Sequence, residues 1–266
     1  MIEQSPKTRM SKSENFGQNE SNLTFDSRKY FKSPETKWET NFGALVIAGE
    51  KGAGSSTLAK DRAAAYDIPE SKLLMVGNYI RDRIEAETGR KILGFVDRDP
   101  EIDYEIDSIV RNIVMKAARH NPHIVEAQLG GLIALDTLKK AHAEGIKPMG
   151  PVIKVLVWAR KDIRIKRIQE REGGMSLKDV RELTRNREEG DLEYWKSLYP
   201  WMGDINPLEK GARDAEGRRI YDFEIDSSDL TVQETSQELH DFLEPLGLVE
   251  EKRDLFLGYQ RPINGN

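Results

Sequence analysis

The stretch Ala44-Leu45-Val46-Ile47-Ala48-Gly49-Glu50-Lys51-Gly52-Ala53-Gly54-Ser55-Ser56-Thr57-Leu58-Ala59-Lys60 decides the fold: a short apolar run, a glycine-punctuated turn, then a helical pattern. Its middle reads as a phosphate-binding loop without its lysine. The full pattern G-x-x-x-x-G-K-[ST] works because glycines let backbone N–H groups curl round a phosphate. The following helix points its positive end at the phosphate, and a hydroxyl holds magnesium. Gly49, Glu50, Lys51, Gly52, Ala53, Gly54, Ser55, Ser56 and Thr57 are the expected nucleotide-binding residues. Ser56 supplies the metal hydroxyl and Ser55 takes the lysine's place. A cradle built from amides survives this replacement, whereas the point charge that would follow a transferring phosphoryl group does not. Lys51 occupies a variable loop position expected to point outward. The alternative is a glycine-rich strand-to-helix turn with no ligand, and the motif by itself leaves the two even.

Outward from the loop, short apolar runs alternate with longer helical patterns, the rhythm of parallel strands joined by crossover helices. Strands are expected at Ala44 to Ala48, Lys72 to Val76, His123 to Ala127, Val152 to Trp158 and Tyr221 to Asp226. The fold class that follows is α/β, a P-loop NTPase with a five-stranded parallel sheet, helices on both faces and a small helical lid. In the longest helical segment Asp99 is placed to cap and Pro100 fits the first turn. Ile102, Ile106, Ile109 and Ile113 predict its buried stripe, and Asn121-Pro122 stops it. Such sheets bind ligands beyond the carboxyl ends of their strands, so the turn after Ala48 and the segment after Val125 should face one crevice. Glu126 then brings a carboxylate to the phosphates, to orient a magnesium-bound water, unless it is a solvent-exposed strand-end acid. Arg81 is either a phosphate clamp or half of an i,i+4 surface pair with Glu85.

Arg160, Arg164, Arg167 and Arg171 fall at steps of four, three and four, which aligns them on one helix face and suits polyphosphate. The alternative is a solvated stripe paired with Asp162, Glu170 and Glu172. Gly173-Gly174 breaks the helix before Ser176, which is placed to cap a second one with Asp179 three residues on. That helix carries Arg181, Arg185 and Arg187. A glycine hinge between two arginine-bearing helices is what a closing lid needs; an ordinary helix-loop-helix is the plain alternative.

With 266 residues, 38% hydrophobic and a net charge of -5, one main domain with extra segments at its ends is expected. Acidic residues outnumber basic ones, which speaks against a nucleic-acid partner. Cysteine is absent and the four histidines show no ligand spacing, so any metal should arrive with the nucleotide. No apolar stretch is long enough to cross a bilayer and the start does not resemble a secretion signal, so the expectation is a cytoplasmic monomer with no membrane partner. Residues 1–40 read as a disordered arm whose aromatics (Phe16, Phe25, Tyr30, Phe31, Trp38) could anchor a protein partner. The P-loop domain is expected over 41–246, with the lid at about 160–200, an extended loop at 200–219 and a loosely held tail at 247–266.

Taken in chain order, these segments resemble the cytidylate kinase family of nucleoside monophosphate kinases, from about Gly43 to Glu238. The phosphate loop comes first, and some archaeal members likewise carry a hydroxyl residue in place of its lysine. Val76-Gly77-Asn78-Tyr79-Ile80-Arg81 is similar to the family segment whose arginine contacts the acceptor phosphate. Asp99-Pro100-Glu101-Ile102-Asp103 with Glu105-Ile106-Asp107 is similar to a stretch lining the acceptor side. Arg164, Arg167, Arg171-Glu172-Gly173 and Arg187-Glu188-Glu189 match the lid, and Tyr221-Asp222 to Asp226-Ser227-Ser228-Asp229-Leu230 the last strand and its turn. The resemblance implies transfer of the terminal phosphoryl of ATP, with Mg2+, to a nucleoside monophosphate, CMP or dCMP first among them. It places Gly77, Arg81, Asp103, Glu126 and Gln128 on the acceptor, Ser56 on the metal, and Arg164, Arg167, Arg171 and Arg187 at the transition state.

Departures from the family pattern are informative. Where the family usually reads Glu-Gly-Arg this chain has Glu126-Ala127-Gln128, and Leu192 and Tyr194 stand where further lid arginines are common. With Ser55, three cation positions are neutral, in a reaction that rests on positioning and charge stabilisation. Three functions therefore stay open: a nucleoside monophosphate kinase, a catalytically weakened nucleotide-binding or regulatory protein, and a P-loop kinase for another small acceptor, the last suggested by Gln128.

Overall fold

The computed structural model describes residues 38–89 and 100–251. Phe16, Phe25, Tyr30 and Phe31 of the arm, the Asp99 cap, and Pro262 and Gly265 of the tail lie outside the described residues. In chain order the strands are β1 (Trp38–Thr40), β2 (Ala44–Gly49), β3 (Leu73–Met75), β4 (His123–Glu126), β5 (Val152–Trp158), β6 (Phe223–Asp226) and β7 (Val249–Glu251). The helices are α1 (Ser55–Ala65), α2 (Val76–Thr88), α3 (Pro100–Lys116), α4 (Gly130–Ala143), α5 (Lys161–Glu172), α6 (Leu177–Leu198) and α7 (Val232–Leu243).

The five strands expected from the apolar runs form one sheet in the order β3-β4-β2-β5-β6, every pairing parallel. β2 is central and buried at all six positions. A strand flanked on both edges and covered on both faces has no solvent side, so its sequence is continuously apolar rather than alternating. One face packs Val46, Ala48, Val125 and Leu156 against α3 and α4; the other packs Leu45, Ile47, Ile124 and Val155 against α1 and α7. Each fully buried aliphatic side chain contributes about 1.5–3 kcal/mol by leaving water.

The buried stripe of α3 differs from the expected one. Ile102, Ile106, Val110 and Val114 are buried, while Ile109 and Ile113 are only half-buried. The contact line follows a ridge of residues four apart, and choosing isoleucines by type rotated the reading off that ridge. The helix also ends at Lys116, ahead of Asn121-Pro122. It stops where the Ala117 carbonyl packs against Gly43: a Cβ on Gly43 would lie 2.2 Å from that oxygen, and one on Gly150 would lie 2.9 Å from the Gly43 Cα.

Residues 38–40 and 247–251, which composition assigns to the chain's ends, are held in place. β1 pairs antiparallel with β7, Val249 is fully buried, and the Trp38 ring meets His240 edge-on at 4.1 Å between centroids. The expected extended loop at 200–219 is packed: Met202, Leu208 and Ala212 enter the core beside α4, as does Ile220 just after it, and the Gly211 N–H donates to Glu224. Gly173 and Gly174, at φ 59° and 72°, turn the chain from α5 into α6. The Ser176 hydroxyl accepts from the Asp179 N–H at 3.2 Å, the expected cap.

Gly43→Ala should lower the unfolding free energy by about 2 kcal/mol, because the clash is with backbone that cannot rotate away; urea denaturation reads it out.

Candidate active site

At the carboxyl end of β2 the chain turns through the loop on glycines with steric reasons for being there. A Cβ on Gly49 would lie 2.6 Å from the Val157 carbonyl, and Gly54 sits at φ 103° as the N-cap of α1. Three successive loop carbonyls are held from the side of α5 and β6. Arg164 Nη1 donates to the Lys51 oxygen at 3.3 Å, Arg167 Nη1 to the Gly52 oxygen at 3.4 Å, and Ser227 Oγ to the Ala53 oxygen at 2.6 Å. Turning these carbonyls outward turns the N–H groups of Gly52 and Gly54 the other way, beside the first-turn amides of α1 that have no intrahelical acceptor, while the Ala53 N–H closes the turn by donating to the Glu50 carbonyl at 2.9 Å. The result is a cradle for an anion.

Arg164 and Arg167 therefore shape the loop from behind. Arg164 is 3% exposed, pairs with Glu50 at 2.9 Å and Glu188 at 2.7 Å, and does not line the cleft. Burial pushes the Glu50 carboxyl up, against the pull of Arg164. Arg167 donates to both the side chain and the carbonyl of Ser227. Arg160 faces elsewhere, in a two-bond pair with Asp229 at 2.8 Å. Arg171 reaches the cleft, at the far end of the same helix face. Residues on one face meet different neighbours along the helix axis, which a spacing argument does not reveal.

A cleft of about 500 Å³ runs from the loop to a wall made by α2, α3 and α6. It brings together Gly49, Lys51, Ser55 and Ser56 of the loop, Glu126 and Gln128 after β4, Gly77 and Arg81 of α2, and Asp103 of α3. Arg171 and Arg187 enter from α5 and α6. Glu50, Gly52, Ala53, Gly54 and Thr57, also expected at the nucleotide, are not part of its lining.

Glu126 is 8% exposed, so the solvent-exposed reading of it does not hold. Ser55 Oγ donates to Glu126 Oε1 at 2.9 Å. Burial raises the Glu126 carboxyl, while the hydroxyls of Ser55 and Ser56 and the charges of Arg81 and Lys60 pull the other way. Ser56 and Glu126 offer oxygen donors that fit a hard divalent cation. Among the described residues no group of three or more His, Cys, Asp or Glu is arranged to hold a metal, so further ligands would come from a nucleotide or water. The Arg81 guanidinium donates to Asn78 Oδ1 at the cleft wall.

Lys51 lines the cleft instead of pointing outward, with its Nζ 3.4 Å from Glu172 Oε1. Arg171 donates to the same carboxylate oxygen at 2.8 Å. Arg187 Nε lies 3.6 Å from Asp191 Oδ2 and is buried without a hydrogen-bond acceptor. The far end of the cleft is acidic and aromatic. Tyr194 Oη donates to Asp103 Oδ2 at 2.6 Å, and Asp107 accepts from Tyr199. Burial pushes the Asp107 carboxyl up to about 6; Tyr199 and Arg111 oppose that rise and Asp103 and Asp136 add to it.

Sequence reasoning missed Asp191, Trp195 and Tyr199, while Asp107 stood in the stretch that the resemblance places on the acceptor side. Asp107 follows Asp103 by four residues, and Arg187, Asp191, Trp195 and Tyr199 recur every four along α6 and its C-cap, all lining the cleft. The four-residue spacing carries the signal that the arginines alone do not.

Removing the buried cation in Arg164→Ala leaves Glu50 and Glu188 facing each other, and should cost about 3 kcal/mol of stability. The same change should weaken Mg-ATP binding roughly tenfold by loosening the cradle, measured by denaturation and calorimetry together. For Asp107 a raised folded-state pKa means that the folded chain binds the extra proton, so its contribution is favourable below about pH 4 and is lost as pH rises towards 6. Asp107→Asn should accordingly be more stable than the parent at pH 7 by about 1–2 kcal/mol, a gap discounted for partial exposure that closes at acid pH. Thermal unfolding across pH checks it.

No family model matches the chain. It is 31% identical over 186 residues to the cytidylate kinase of Methanosarcina mazei, covering 69% of this chain and 86% of that one. It is 30% identical over 181 residues to the cytidylate kinase of Archaeoglobus fulgidus, covering 65% and 88%. Among solved structures, the shikimate kinase of Bacteroides thetaiotaomicron is a looser likeness, with a TM-score of 0.39 at 16% identity over 76% of this chain and 98% of that one.

Proposed function

This chain belongs to the cytidylate kinase family, and from that premise we propose that it transfers the terminal phosphoryl group of ATP, with magnesium, to a nucleoside monophosphate, CMP or dCMP being the acceptor. The observation that carries the reading is a single cleft with an amide cradle and cations at one end and carboxylates with aromatic rings at the other. Such a cleft suits a triphosphate meeting a nucleotide base. A carboxylate rim at Asp103 and Asp107 accepts hydrogen bonds from an exocyclic amine, which cytosine has and uracil lacks.

In the reaction an acceptor phosphate oxygen attacks the terminal phosphorus of ATP while the bond from that phosphorus to its bridging oxygen breaks, leaving ADP. No general base is required, because the attacking phosphate is already an anion. Ser56 and Glu126 would hold magnesium, which when bound neutralises charge on the phosphates. Arg81 orients the acceptor phosphate, and Arg171 and Arg187 face the charge that spreads over the transferring group. Arg164 and Arg167 act as positioning residues that keep the loop's amides aimed inward. Gln128 occupies the position of an acceptor-side arginine in the family and favours the other open reading, a small neutral-polar acceptor. The catalytic unit in this proposal is residues 41–246 of a cytoplasmic monomer, with the N-terminal arm and the tail outside it.

A coupled assay over a panel of monophosphates and small metabolites tests this. CMP or dCMP should be turned over with a kcat/KM at least about tenfold above UMP, the worth of one buried polar mismatch. Binding of Mg-ATP with no phosphorylation of any monophosphate would reject the proposal. Glu126→Gln should lower kcat by about 100-fold or more.

A further inference from the structure

We infer that Lys51 is the cation that grips the donor's terminal phosphoryl group, in place of the lysine that position 55 lacks. This rests on the nucleotide-binding reading of the cleft. Position 55 is closed to that role in two ways: its residue is a serine, and its hydroxyl is committed to Glu126 at 2.9 Å. Lys51 belongs to the same turn, four residues earlier, and lines the same cleft as Ser55 and Ser56. Its backbone is fixed by the bond from Arg164 to its carbonyl, so the side chain projects from a held point.

The ammonium group has one carboxylate partner, and that partner is shared. Lys51 and Arg171 share the one carboxylate of Glu172, and Arg187 lies close enough to repel Lys51. Half-burial, with the charge of Arg187 adding to it, draws the Lys51 amine below its usual range. The buried Nε–H of Arg187 has no acceptor. Three cations, Lys51, Arg171 and Arg187, face two carboxylates, Glu172 and Asp191, with one buried N–H lacking an acceptor, an arrangement complementary to phosphate oxygens. A triphosphate would supply the missing acceptors, with Glu172 giving up its hold on Lys51. A strongly hydrated point charge on a flexible four-carbon stem is suited to following a phosphoryl group as it moves.

The test separates a diphosphate from a triphosphate, using the full chain with Lys51→Met and Lys51→Arg. Calorimetry with Mg-ADP and with a non-hydrolysable Mg-ATP analogue reads binding, and the coupled assay reads turnover. Lys51→Met should hold Mg-ADP within about threefold of the parent, bind the triphosphate analogue roughly tenfold more weakly, and lose about 100-fold in kcat. Lys51→Arg should keep most of the triphosphate affinity. Equal loss of both nucleotides, loss of neither, or an arginine variant as damaged as the methionine one would each overturn the assignment. If the parent chain phosphorylates no acceptor, the kinase reading falls, while the diphosphate-to-triphosphate difference still judges Lys51.

Discussion

The buried guanidinium of Arg164 is the interaction on which the site depends. It stands on α5, is 3% exposed, pairs with Glu50 of the loop and Glu188 of α6, and donates to the Lys51 carbonyl. With Arg167 and Ser227 it fixes the orientation of three consecutive peptide groups, which is what an amide cradle requires. That arrangement explains how the loop keeps its shape with a serine at position 55. Shape comes from behind, through carbonyls, and the missing lysine would have acted from in front.

Charge is divided along the cleft. Lys51, Arg171 and Arg187 gather at the loop end, and Asp103 and Asp107 at the end formed by α3. A nucleotide pair is itself polar in this sense, with anionic phosphates at its middle and bases at its extremities. The gradient therefore orients substrates before any single hydrogen bond forms. Asp191 and Glu172 temper the cationic end, so that the ligand-free site is not strained by unopposed repulsion.

The sheet was legible because its strands are short, continuously apolar and separated by helical stretches. A buried parallel strand needs that pattern, and all five were found with ends shifted by a residue or two. The loop was legible through its glycines, and the cap at Ser176 through its spacing. What escaped was set by tertiary neighbours. The α3 stripe rotated onto Val110 and Val114 because the partner helix selects a ridge, not a residue type. Arg164 and Arg167 have the same local sequence appearance as Arg171, yet their roles diverge because Glu50, Gly52 and Ser227 lie elsewhere in the chain. Lys51 looked outward-facing because local sequence does not say which side of the turn faces α6.

Glu188 ties α6 to the phosphate loop through a guanidinium they share, and it also takes the Lys161 ammonium at 2.9 Å. Displacing α6 would withdraw that carboxylate and leave Glu50 to balance Arg164 alone. The seating of α6 and the shape of the phosphate loop are thereby geared to each other.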